Sequence, residues 1–108
     1  MTKRRLYKVT FLNQGHVYEV FAREVGQGGL LGFVEVGGLV FGEKTQIVVD
    51  PSEERLRAEF EGVRRFYVPM HAVIRIDDVD RQGPSRISEA PKGGNVAAFP
   101  VPMFKASE

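Results

Sequence analysis

The chain has no cysteine, no tryptophan and only two histidines, His16 and His71. The missing cysteines exclude a disulfide framework, a thiolate nucleophile and a cysteine-ligated metal. Two histidines without HxxxH-type spacing give no histidine metal site, so we expect no bound metal. Charge of one sign is missing too. The 108 residues carry a net +1, with 15 Lys and Arg against 14 Asp and Glu, so nucleic-acid binding would have to rest on local clusters. No apolar run approaches the ~20 residues of a spanning helix. The basic start, Met1-Thr2-Lys3-Arg4-Arg5, is not followed by the apolar stretch of a signal peptide, and we expect a cytoplasmic protein with no membrane partner.

What is present is strand pattern. From Phe66 to Ile76 every even position (Phe66, Val68, Met70, Ala72, Ile74, Ile76) is apolar. Strict alternation means a strand with one face in the core. Pro69 interrupts it, because proline donates no ladder hydrogen bond. We therefore read two strands, 64–68 and 72–77, around a tight turn at Pro69-Met70-His71. Upstream, Leu6–Leu12 and His16–Ala22 flank Asn13-Gln14-Gly15 and form a hairpin. Phe33–Val36 reads as a strand, Gly37-Gly38 as a bend or bulge before Leu39–Phe41, and Thr45–Val49 as a further short strand.

Asp50-Pro51-Ser52-Glu53 predicts a helix start, with Asp50 as N-cap, Pro51 first in the helix and Glu53 closing a capping box. The helix runs over 51–61, with Leu56 and Phe60 on one face, a Glu53–Arg57 pair on another and Gly62 as its C-cap. The expected fold is α+β: a strongly curved antiparallel sheet, or a small SH3/Sm-like barrel, of five to six strands with one inserted helix. Residues 1–79 form the compact domain. Residues 80–108, rich in proline and glycine, read as a flexible tail carrying an apolar island, Val96–Phe104.

Several strings resemble a bacterial family: Phe11-Leu12-Asn13-Gln14-Gly15, Val49-Asp50-Pro51-Ser52-Glu53-Glu54, Phe60-Glu61-Gly62-Val63, and Tyr67 through Asp77. They are similar to the small proteins of domain-of-unknown-function family 1820, over about residues 6–79. That resemblance implies no activity. Val68-Pro69-Met70-His71-Ala72-Val73 also resembles, at fold level alone, the strand–3-10–strand corner of SH3-like and Sm-like barrels.

No catalytic constellation is visible. Glu53-Glu54 sits where a helix N-terminus favours negative charge, and the carboxylates of Asp77-Asp78 alternate across a strand. Gly26-Gln27-Gly28-Gly29-Leu30-Leu31-Gly32 fits neither GxGxxG nor a P-loop, so no nucleotide or other cofactor is expected. His71 is either a ligand-facing side chain or a turn residue bonded to a backbone carbonyl. We expect a non-enzymatic interaction module that binds a protein partner or a second copy. The sheet edge and the apolar segment around Phe99, Met103 and Phe104 are its candidate surfaces. The alternative is RNA or single-stranded nucleic acid, held by Arg64, Arg65, Tyr67, His71 and Arg75 with the basic N-terminal arm. A solvated strand face, balanced by Glu59, Glu61 and Asp77, explains the same arginines without a ligand.

Overall fold

The computed structural model describes residues 5–42 and 51–90. Within them lie β1 (Tyr7–Asn13), β2 (His16–Gly26), β3 (Phe33–Val40), α1 (Ser52–Glu59), β4 (Arg65–Pro69), a 3-10 turn (Met70–Ala72), β5 (Val73–Asp78) and β6 (Arg86–Glu89). This is a mostly-sheet α+β fold whose paired strands are all antiparallel. No helix among these residues is long and apolar enough to cross a membrane.

The β1–β2 hairpin follows from its sequence. Gln14 and Gly15 both have positive φ, 52° and 79°. Two such residues make the mirror-type turn whose twist matches that of the flanking strands. The register runs from Asn13↔His16 to Tyr7↔Ala22, which sets Val9 opposite Val20 and Phe11 opposite Tyr18. These residues are buried, with Ala22, Val36, Leu56 and Val68, in a single core cluster. Phe11 and Tyr18 stack with ring centroids 5.1 Å apart.

β2 is the longest strand among the described residues and serves three neighbours. One edge takes β1 along His16–Ala22; the other takes β6 along His16–Glu19 and β3 along Phe21–Gly26. Its inward face changes midway: Tyr18, Val20 and Ala22 are buried, whereas beyond Arg23 it is Val25 that packs on the core and Glu24 that is exposed. Gly38 faces this switch from β3, with φ +67° and only 3.1 Å between a would-be Cβ and Arg23 Cβ. A side chain there would clash and hold a strained backbone, so glycine permits the break in the pleat. The bend expected at Gly37-Gly38 is therefore present.

The strand order is β4-β3-β2-β1-β5, with β6 on the free stretch of β2. Strands β4 and β5 stand at opposite ends of that order, yet three residues join them. The sheet must curl until its two outer strands approach at that corner. It does not close: no ladder joins β4 to β5, because the chain leaves β4 through Pro69 and lays β5 on β1 instead. The expected barrel is corrected to an open curled sheet. The two strands expected around Pro69 are present, each shifted by about one residue.

Other expectations change in detail. The tail read as flexible from residue 80 contains β6, which pairs with β2 and packs against α1; Ser52 Oγ donates to the Ile87 carbonyl at 3.1 Å. A four-residue strand with one apolar residue, Ile87, carries too little pattern to announce itself. The Glu53 carboxylate accepts from the backbone N–H groups of Gly42 and Ser85, both at 3.2 Å, and ties two loops to the helix. Arg57 pairs with Glu54 rather than Glu53, donates to the Gly42 carbonyl and lies over the Phe41 ring, 5.1 Å from its centroid. Leu56 and Phe60 face the core as expected, Phe60 against Phe66 at 4.6 Å. Gly62, at φ +81°, turns the chain after the helix. The strand expected at Thr45–Val49 and the Asp50 cap lie outside the described residues.

Candidate interaction surface

Phe66 and Val68 of β4 face the core, which turns Arg65 and Tyr67 outward. Across the ladder Arg65 sits opposite Gly37, and Tyr67 opposite Glu35. Arg65 is ion-paired with Glu35 of β3 and, at 3.4 Å, with Glu24 of β2. Gly37 lies beneath this bridge. A Cβ there would come within 3.0 Å of Glu24 Oε1 and 3.4 Å of Arg65 Cβ, so glycine leaves the carboxylate and the guanidinium room to meet across β3. The hydrogen bond to Glu35 holds the Arg65 pKa above its ordinary value, a further sign that its charge is already matched.

The residues singled out from the sequence do not form one face. Arg64 precedes β4, with its side chain exposed and its carbonyl accepting from Gly38 N–H at 3.5 Å. Arg64, Arg65 and Tyr67 do lie together. His71 is exposed in the 3-10 turn. Arg75 is on β5, at the other end of the sheet, where it faces Thr10 and pairs with Asp77 at 2.9 Å. The continuous arginine–tyrosine face is therefore corrected. Strand alternation carried the parity of the side chains but could not show that β4 and β5 have different neighbours. Arg5 of the basic arm is likewise paired, with Asp78 at 3.3 Å. Phe99, Met103 and Phe104 lie outside the described residues.

Sequence reasoning missed an apolar patch beside β4. The β2–β3 loop exposes Leu31 at 99% and Leu30 at 48%, and Met70 of the 3-10 turn is 50% exposed. They adjoin because Met70 N–H donates to the Gly32 carbonyl at 2.9 Å and Phe33 sits opposite Pro69. A signal was available: leucines between Gly28 (φ +61°) and Gly32 (φ +82°) sit where the backbone leaves the pleat. Such leucines are displayed at a loop tip rather than packed within a strand.

The backbone of β4 adds to this patch. Met70 N–H and Val68 belong to the hydrogen-bonded pairs with β3, so the N–H and C=O groups of Arg65 and Tyr67 point away from the sheet. Among the described residues no strand covers them.

Two open cavities complete the surface. One of about 310 Å³ lies between Tyr7, Arg23, Glu24 and Glu35; the other, of about 470 Å³, lies between Phe41, Glu54, Arg57 and Phe60. Neither places a nucleophile beside a general base, and no three His, Cys, Asp or Glu among the described residues are grouped to hold a metal ion. The titratable group most clearly shifted by burial is Tyr18. Burial raises its pKa, and its hydroxyl donates to both Glu59 oxygens at 3.0 and 3.2 Å. This is a structural tie between β2 and the end of α1.

No curated protein and no solved structure matches the chain. Residues 5–101 match the family model described as a domain of unknown function (DUF1820), and the chain belongs to that family.

Proposed function

We propose that the protein is a non-enzymatic protein-interaction module that receives an extended segment of another protein along β4. The observation that carries this reading is the placement of exposed Leu30, Leu31 and Met70 beside the unpaired backbone of Arg65 and Tyr67. An added strand would gain main-chain hydrogen bonds from β4, and its alternate side chains would rest on the leucines and Met70. Arg64 and Arg65 balance Glu24 and Glu35, so the fitting ligand is apolar rather than strongly charged. The path of the chain, with a 3-10 corner between strands docked on β3 and β1, supports an open relative of the SH3-like architecture.

Selection from a displayed library of random peptides tests the reading. Enriched sequences are expected to be short, extended and apolar at alternate positions. Their binding should be lost in Tyr67→Pro, which removes an outward N–H but spares the ladder to β3, and weakened in Leu31→Ser. Peptides that bind Tyr67→Pro as well as the parent protein, or no enrichment at all, would sink it.

The second reading, RNA or single-stranded nucleic acid, is favoured by exposed Tyr67 close to exposed Arg64. The acid partners of Arg65, Arg75 and Arg5 weigh against it, since a phosphate would have to displace a carboxylate at each. Its mark would be affinity that falls steeply with salt and disappears in Arg64→Glu.

A further inference from the structure

The geometry points to a symmetric dimer in which β5 of one copy pairs antiparallel with β5 of a second copy, about a two-fold axis at Ile76. The inference rests on β5 alone and is independent of the proposal for β4.

The ladder to β1 determines which backbone groups are free. Val79 N–H donates to the Leu6 carbonyl at 2.9 Å, and the register continues as Tyr7↔Asp78, Lys8↔Asp77 and Val9↔Ile76. In an antiparallel ladder the hydrogen-bonded pairs alternate, so Val79, Asp77 and Arg75 address β1. Ile76 and Asp78 then present their N–H and C=O groups to the open side, where no described strand covers them, and Ile74, the extra residue where the register slips between Thr10 and Phe11, has no partner on β1. A two-fold at Ile76 pairs Ile76 with its own copy, and Ile74 with Asp78 of the partner, twice. These are the residues whose backbone groups are unsatisfied, and the three pairs form a ladder of about six hydrogen bonds.

The side chains select the same register. On one face the axis sets Arg75 directly opposite the partner's Asp77, and Asp77 opposite the partner's Arg75. Both are non-hydrogen-bonded pairs, the kind with closer side chains. The Arg75–Asp77 contact within each strand, at 2.9 Å, would become part of a four-member alternating row. On the other face Ile76, 39% exposed although it shares a side with buried Val9, would meet its own copy. Moving the axis by one residue in either direction breaks the charge match.

The other edges do not offer this. Self-pairing of β4 brings no opposite charges together, and Pro69 withholds a donor. The outer side of β6 is taken by α1, where Ser52 Oγ occupies the Ile87 carbonyl. A ladder of six residues buries less than the ~1,200 Å² typical of stable complexes, so the dimer is expected to dissociate on dilution.

Sedimentation of the full chain, from low micromolar to about 1 mM, tests this. The parent protein should pass from monomer to dimer. Arg75→Asp and Asp77→Arg should each weaken association tenfold or more, by facing like charges across the axis. Their equimolar mixture should dimerise again, because each then supplies the charge its partner lacks, and the doubly swapped chain should associate like the parent. Both positions lie on an edge strand, and circular dichroism of each variant shows whether the fold is retained. A parent chain that stays monomeric throughout, a dimer indifferent to both variants, or a mixture no more associated than its components would overturn the inference.

Discussion

Strands β4 and β5 end the same sheet and are three residues apart in the chain, yet they are anchored differently. β4 buries Val68 and sends Phe66 between Phe11 and Phe60, with ring centroids 5.8 and 4.6 Å away. β5 has no fully buried residue, and its register against β1 slips between Thr10 and Phe11. The first strand is held mainly by its side chains, the second mainly by its backbone. Their charges divide in the same way. Arg65, on the outer face, reaches across neighbouring strands to Glu35 and Glu24, whereas Arg75 finds its acid on its own strand.

Substitutions can break that contrast at either end. Phe66→Ala should cost most, about 3 kcal/mol by chemical denaturation, because it opens a cavity beneath β4. Ile76→Ala, at a half-exposed position on β5, should cost only about 1 kcal/mol. Equal losses would remove the distinction. Tyr18→Phe tests the sheet centre between the two edges and should cost about 1 kcal/mol for the bond to Glu59. It also carries a pH signature. The folded pKa of Tyr18 is raised above its unfolded value near 10, so its contribution is complete below that pH and is lost as pH climbs through the folded value. The parent should therefore weaken more steeply than the variant in strong alkali, and superimposable alkaline limbs would refute the burial of that hydroxyl. Arg65→Ala is expected to have the smallest effect on stability, since its ion pairs are solvent-screened. Amide exchange sharpens the comparison without mutation: Ile76 should exchange faster than Val68.

Much of this architecture was legible in the residues. Gln14-Gly15 between alternating strands gives the hairpin, Pro51 with Leu56 and Phe60 gives the helix, and Pro69 splits the last alternating run as expected. What escaped were matters of neighbourhood. Nothing in Arg86-Ile87-Ser88-Glu89 says that it will complete the edge of β2, since its strand character comes from the partner it finds. Nothing beside Glu53 in the sequence says that the loops at Gly42 and Ser85 will bring it two backbone donors. At the candidate site, parity put Arg65 and Tyr67 on the outward face, but the carboxylates that engage Arg65 come from strands 30 and 41 residues away in sequence. Leu30 and Leu31 lie in a glycine-rich string, and their display follows from the positive φ of Gly28 and Gly32, which the residue pattern alone does not set.

The pairing of Tyr7 with Asp78 also imposes a timetable. A hairpin such as β1–β2 closes in microseconds once its residues are free, but the other side of β1 must wait for β5. At ~5–20 residues per second, the 52 residues from Gln27 to Asp78 take roughly 3–10 s to be synthesised. For those seconds the nascent chain presents an uncovered strand of Tyr7, Val9 and Phe11. Such a strand is an invitation to a neighbouring ribosome's product or to a chaperone, and the fold is sealed only when the far end of the domain arrives.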